Sequence, residues 1–461
     1  MPHRGKQTLF RDLLDGPRTE PARYRSRLQR DAKNSLAQLQ RLERWKEIKA
    51  HSGCVNTLSW STDGQLLLSG SDDQYIAISN PFTGQQQRTK TRHRANIFSA
   101  RFLPQSDNRV VVSCAGDGTV LYTNLNQATG EETHASGHFG CHNTGTTYEV
   151  LTVPTEPRSF MSCGEDGTIR LYDLRRVSHC YKAHCRENIL IAGPGAITAM
   201  ALAPVSLHYI AAGNAAGCVR IYDRRYLAVK GANDTPSERH TAAVKVFTIP
   251  AFEDRTYRVT SLEYDRCEQQ LLVNYSSDHL YLFDVANHEG VGEAGCRKPA
   301  ARTLIKEATF WGDDFVMSGS DCGSIFAWDR YTGKNVMLVT ADQHVVNCVR
   351  PHPTLPILAS SGIDYDIKVW MPLAQECNFS EEVASKLMKR NAVMLEETRD
   401  IITVPASFMI RMLACMHTLR NRQDGVGGGG GADGGGAGGA DADAGAANEH
   451  NADTESDASE G

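Results

Sequence analysis

The chain has 461 residues, with 54 Asp or Glu against 49 Lys or Arg, a formal net charge of −5. That balance makes nucleic acid an unexpected partner and leaves the possibility only to the first fifty residues, which are rich in Arg and Lys. No run approaches the roughly 18 apolar residues of a membrane span, and the first 21 residues lack the apolar core of a secretory signal.

In chain order, residues 1–21 read as a basic flexible leader. Residues 22–46 read as one amphipathic helix, because Tyr24, Leu28, Ala32, Leu36, Leu39 and Leu42 share a stripe while Arg27, Arg30, Lys33 and Arg44 mostly lie elsewhere. That stripe must cover either the rest of the chain or a partner.

Residues 47–372 repeat. Seven times, small residues lead into an acidic or Gly-containing turn, and an alternating apolar run then closes on an aromatic and Asp or a stand-in. The units are Ser69-Gly70-Ser71-Asp72-Asp73 to Asn80, Ser113-Cys114-Ala115-Gly116-Asp117-Gly118 to Asn124, and Ser162-Cys163-Gly164-Glu165-Asp166-Gly167 to Asp173. They continue with Ala211-Ala212-Gly213 to Asp223, Asn274-Tyr275-Ser276-Ser277-Asp278 to Asp284, Ser318-Gly319-Ser320-Asp321 to Asp329, and Ser360-Ser361-Gly362-Ile363-Asp364 to Trp370. A repeat of some 40 to 60 residues built on period-two strands predicts an all-β, seven-bladed WD40 β-propeller with loop insertions. In Thr168-Ile169-Arg170-Leu171-Tyr172 the alternation implies one buried face, and Glu165-Asp166-Gly167 supplies the turn. Glu47-Ile48-Lys49-Ala50-His51, an outer strand with no sheet of its own, is expected to complete the last blade.

Between blades five and six, Val285 to Arg302 reads as a surface loop. Residues 378–422 form a C-terminal helical segment, with Val383, Leu387 and Met394 at helical spacing and a second stripe of Phe408, Met412, Cys415, Met416 and Leu419 after Pro405. Residues 423–461, dominated by Gly, Ala and Asp, read as a disordered acidic tail.

Of thirteen Cys, Cys54, Cys114, Cys163, Cys218 and Cys348 fall in expected strands, where free thiols serve as small buried hydrophobes. A reducing compartment follows, nucleus or cytoplasm. No Gly-x-x-x-x-Gly-Lys-Ser/Thr loop, Gly-x-Ser-x-Gly elbow or His-Glu-x-x-His occurs. The Asp residues recur at equivalent points of successive units, as turn-forming groups do. No catalytic residue and no cofactor is therefore assigned. His134, His138, Cys141 and His142, with His179, Cys180, His184 and Cys185 in the next connection, are zinc ligands by type. Their spacing matches no standard finger, so they are read as loop residues, with a structural zinc site as the alternative.

Tyr172-Asp173-Leu174-Arg175 and Tyr222-Asp223-Arg224-Arg225 each place an Arg two residues past the closing Asp. Adjacent repeats are adjacent in the ring, so Arg175 and Arg225 are expected side by side on one rim, as interface groups or as solvated charges. Trp328-Asp329-Arg330-Tyr331 has its Arg one position too early. Tyr-Asp-x-Arg after a WD-repeat strand resembles the signature of the DDB1- and CUL4-associated factor family, substrate receptors of cullin-4 RING ubiquitin ligases. His51-Ser52-Gly53-Cys54-Val55-Asn56, Ala359-Ser360-Ser361-Gly362-Ile363-Asp364 and Thr403-Val404-Pro405-Ala406-Ser407-Phe408-Met409 are similar to segments of one member.

The resemblance implies a non-enzymatic subunit that docks on the damage-specific DNA-binding adaptor of cullin-4 and presents substrates for ubiquitination. By the same resemblance the helix with Leu28, Leu36 and Leu39 and the rim with Tyr172, Asp173, Arg175, Tyr222, Asp223 and Arg225 engage the adaptor. Substrates take the opposite face. That member carries a long insertion with a calmodulin-binding helix between blades five and six, where this chain has only Val285 to Arg302, so calmodulin is not an expected partner. The alternative is a general WD-repeat scaffold or chromatin-associated interaction protein.

Overall fold

The computed structural model describes residues 21–125, 137–142, 145–176, 179–182, 185–229, 241–249, 257–276, 278–285 and 307–397. The basic leader, most of the loop after Val285, the segment from Pro405 and the acidic tail lie outside them, as do His134 and His184.

Seven antiparallel sheets follow one another, six of four strands and one of three among the described residues. The first strands of successive sheets pack against one another around the ring, so they line its centre. The last blade is Val346–Pro351, Leu358–Gly362, Ile367–Pro372 and, from the other end of the chain, Leu42–Ile48. Leu42 faces Pro372 and Ile48 faces Ile367 in an antiparallel ladder with one bulge, so the two ends of the repeat region close the ring and the N-terminal strand becomes the outer strand of the last blade.

This closure corrects the single helix expected over residues 22–46. Helix α1 (Pro21–Lys33) ends where Asn34 turns away, its Oδ1 accepting the Asp313 N–H at 2.7 Å and its Nδ2 donating to Asp313 at 3.1 Å. A single turn, α2 (Leu36–Leu39), follows, and the strand begins at Leu42, five residues before the expected start. Leu39 and Leu42 keep a helix-like spacing, yet each is driven into one pocket with Trp311, Phe315, Met317 and Trp370. Burial of two leucines, about 2 kcal/mol apiece, outweighs the weak preference for continuing the helix.

The third strand of blade three does not keep the one buried face its alternation implied, since Thr168, Ile169, Arg170 and Tyr172 are all buried, and second strands are enclosed on both faces. Leu67–Ser71, Val110–Ala115, Ser159–Gly164 and Leu358–Gly362 are buried at every residue, because each blade is sandwiched between two others. Their small residues follow from that. A Cβ on Gly213 would lie 2.4 Å from Val259, and one on Gly319 would lie 2.6 Å from Val346, each the opening residue of the next blade's first strand. Glycine there lets a β-branched side chain of the neighbouring blade seat against bare backbone.

In the centre, first-strand charges answer one another. Arg101 lies 3.6 Å from Glu149, and Arg350 bridges Glu307 and Glu263. Burial pushes the carboxyls of Glu149 and Glu263 upward, partly offset by these guanidinium groups.

Helix α3 (Glu381–Glu397) lies on the propeller through Leu387 and Met388, which pack against the cluster of Leu272, Phe326 and Trp328. Within the helix Ala384 is buried, whereas Val383, expected in the buried stripe, is exposed.

Candidate functional site

The Tyr-Asp-x-Arg endings of blades three and four are built alike. In blade three the strand Thr168–Asp173 carries Tyr172 inward, stacked on Phe160 at 5.0 Å and 4.7 Å from Phe139. Asp173 ends the strand and accepts the backbone N–H of Arg175 at 3.0 Å. The Arg175 guanidinium folds back onto the same carboxylate, Nε to Oδ1 at 2.9 Å and Nη2 to Oδ2 at 2.8 Å. Blade four repeats this. Asp223 accepts the Arg225 N–H at 3.0 Å, Nε at 3.0 Å and Nη2 at 2.7 Å, opening a 3₁₀ turn over Arg224–Tyr226. Each pair is a planar two-point match that fixes the arginine close to the rim. The arginine hydrogen bonds hold both aspartates below the ordinary carboxylate range.

The side chains of Arg175 and Arg225 remain 69% and 53% exposed. Glu156, in the turn between the first two strands of blade three, connects the two loops. Burial raises its affinity for a proton, but bonds from Ser159 and Arg224 and the nearby Arg175 charge outweigh that and hold it ionised. Arg224 reaches Glu156 at 2.8 Å and donates to the carbonyl of Leu207 at 3.0 Å, pinning the blade-four loop to blade three. Sequence reasoning missed this bridge, which uses the residue inside the motif. It also missed Tyr226, 85% exposed beside Arg225 with the guanidinium 5.9 Å from its ring. Arg330, set aside for its spacing, spans blades in a related way, bonding Asp265 at 2.6 Å and Gln270 at 2.7 Å.

The remaining residues assigned to docking divide. Tyr172 and Tyr222 are fully buried, which withdraws both from any contact surface: they support the motif from within. Leu39 is likewise withdrawn, being buried against the chain's own propeller. Leu36 is exposed and Leu28 half-buried. The end of α1 is also held to the propeller, Lys33 donating to the carbonyl of His352 while its ammonium sits 5.9 Å from the Trp311 ring. Burial brings the Lys33 pKa down to about 8.

The histidines have different employment. His142 bridges Asp166 at 2.9 Å and Ser162 at 2.7 Å and is buried, so it is a structural lock and not the metal ligand its sequence context allowed. His51 holds Asp73 and Ser69, and His93 holds Thr119 and Ser113, at equivalent places in blades one and two. His138 stacks on Tyr181 at 4.8 Å, and His179 lies 5.6 Å from the same ring. Cys141, Cys180 and Cys185 do converge, their sulfurs all within 4.8 Å of one another.

Comparison with known proteins agrees with this architecture. The WD domain, G-beta repeat model matches residues 43–78, 136–173 and 334–371. The chain is 44% identical over 247 residues to "DDB1- and CUL4-associated factor 6" of Mus musculus and of Homo sapiens, matches that cover 53% of this chain and 28% of each relative. It is 32% identical over 276 residues to "Protein ALTERED SEED GERMINATION 2" of Arabidopsis thaliana, covering 54% of this chain and 36% of that one. The matched region thus spans well under half the length of these relatives. The chain is a seven-bladed WD-repeat propeller protein that resembles the DDB1- and CUL4-associated factors.

Proposed function

We propose that this protein is the substrate-recognition subunit of a cullin-4 RING ubiquitin ligase, docking on the damage-specific DNA-binding adaptor through the rim that bears Arg175 and Arg225. The observation that carries this reading is the duplicated Asp-to-Arg closure on adjacent blades, which presents two exposed, pre-oriented guanidinium groups on one rim. Such groups lose little rotamer freedom on binding and suit a carboxylate-bearing partner. Similarity to relatives named for DDB1 and CUL4 supports the same assignment. Exposed Leu36 and Tyr226 supply apolar area on the chain's surface.

The subunit acts by proximity, raising the effective concentration of a substrate lysine near a ubiquitin-charged enzyme, and contributes no acid, base or nucleophile of its own. The eleven described cysteines are free thiols, which suits the reducing nucleus or cytoplasm.

The test is recovery of purified adaptor on immobilised protein, wild type against the Arg175→Ala plus Arg225→Ala variant. Loss of adaptor binding by tenfold or more is expected, on the scale of central interface residues. Undiminished recovery by the folded variant rejects the rim, and a stable cellular complex lacking any cullin favours the general scaffold instead.

A further inference from the structure

We propose that Cys141, Cys180 and Cys185 form a structural site for a thiophilic divalent cation, Zn²⁺ in the cell, that ties the edge of blade two to blade three. The three residues come from separate places. Cys141 lies two residues past Gly137–Phe139, the short outer strand of blade two. Cys180 lies in the connection after the third strand of blade three, and Cys185 just precedes its fourth strand, Ile189–Ala192.

Backbone geometry brings them together. The Cys180 N–H donates to the carbonyl of His138 at 2.7 Å and its carbonyl accepts the Gly140 N–H at 2.9 Å, while Phe139 and Cys180 form a parallel bridge. The Arg170 guanidinium donates at 3.1 Å to the carbonyl of Cys185, holding the third segment. Four zinc–sulfur or zinc–nitrogen bonds of about 2.0–2.3 Å in a tetrahedron place ligand sulfurs roughly 3.8 Å apart. The observed sulfurs lie within 4.8 Å of one another, so a small inward movement completes the site.

Two further observations favour a cation over packing or a disulfide. The site is walled by Phe139, Phe160 and Tyr172, with Cys141 and Cys185 at 3% and 5% exposure, and outside the three thiols the Cys185 sulfur contacts the carbonyl of Glu187 at 3.8 Å. A disulfide would consume two of the three sulfurs and leave the third, whereas a cation uses all of them. The three sulfurs are the groups that converge among the described residues, and a water supplies the fourth ligand. Binding displaces the thiol protons to solvent, so the site tightens as pH rises.

The consequence is local order. A cation holds Cys180 and Cys185, which follow the Arg175 loop along the chain, to Cys141 of the blade-two edge. The site stands independently of adaptor docking, and its test reads metal and not adaptor.

Metal-free full-length protein is titrated anaerobically with Co²⁺ and then Zn²⁺. One Co²⁺ per chain is expected, with thiolate-to-cobalt charge transfer and the strong visible bands of a tetrahedral site, all displaced by Zn²⁺. Cys180→Ser, at a half-buried position, should weaken Co²⁺ binding by roughly 100-fold or more, since even outer-shell changes cost 10- to 100-fold. Cys218→Ser, a buried thiol of blade four, should leave it unchanged. Absence of the charge-transfer band in the wild type overturns the proposal, as does equal binding by the Cys141→Ser, Cys180→Ser, Cys185→Ser triple variant. An intact mass showing a disulfide among these three in protein purified under reducing conditions also overturns it.

Discussion

Blades three and four carry the same Tyr-Asp-x-Arg ending on the rim, yet they hold their inner turns by opposite chemistry. In blade three Asp166 is a half-buried charge that accepts the Thr168 N–H at 3.1 Å, a guanidinium N–H of Arg170 at 3.1 Å and the His142 ring at 2.9 Å. Blade four has Ala216 at the matching point, and the neutral amide of Asn214 takes over, accepting the N–H groups of Ala216 at 3.1 Å and Cys218 at 2.8 Å. The difference teaches that rim and interior are specified separately. Asp173 and Asp223 close their own loops locally, so the rim geometry survives a change in what lies beneath it.

The comparison can be broken most forcefully in blade three. Asp166→Ala strands the His142 ring, Arg170 and the Thr168 N–H in a buried site, and should cost about 3–5 kcal/mol in urea unfolding. Asn214→Ala removes only neutral bonds and should cost about 1–2 kcal/mol. Equal losses would mean the two locks are energetically the same.

Acid sharpens the contrast next. Burial opposes the Asp166 charge, but the His142 bond, with Arg170 and Thr168, holds its pKa at about 2, so that carboxylate stays ionised well below pH 4. The seam between blades seven and one should yield sooner. His352 is buried, its Nδ1 accepting the N–H groups of Thr354 at 3.1 Å and Leu355 at 2.9 Å while Nε2–H donates to the carbonyl of Gly64 at 2.9 Å. Burial pushes its pKa down to about 4 from an ordinary 6.5. The unfolded chain therefore takes up the proton first. The His352 contribution is complete above about pH 6.5 and is lost as pH falls toward 4, by up to about 3 kcal/mol. Chemical denaturation at pH 7 and pH 4.5 should show this fall in the wild type and a smaller one in His352→Gln; identical falls would exonerate His352.

The smallest effect belongs to the rim. Arg175→Ala and Arg225→Ala remove exposed groups and should leave the thermal midpoint within error of the wild type, even while adaptor binding falls. A large drop in midpoint would make the arginines structural and merge the two regions the comparison separates.

The seven-fold repeat, the turn positions and the rim arginines were legible in the sequence because each depends on local patterning: small residues, a Gly or Asp turn, and strand alternation recur wherever a blade recurs. What happens between blades was not. Gly213 and Gly319 read as turn-like small residues until Val259 and Val346 stand against them. Arg224 and Arg330 looked incidental until Glu156 and Asp265 appeared opposite. Leu39 and Leu42 fitted one helix, and only the empty edge beside Ile367–Pro372, more than 300 residues away, makes a strand of the second. Local propensities act over a few residues and are written in order along the chain, whereas ring closure, inter-blade ion pairs and the gathering of three thiols depend on which distant segments meet. The sequence determined the blades and their turns; the tertiary structure decided how they join, and with that which tyrosines and leucines are core and which arginines stand exposed on the rim.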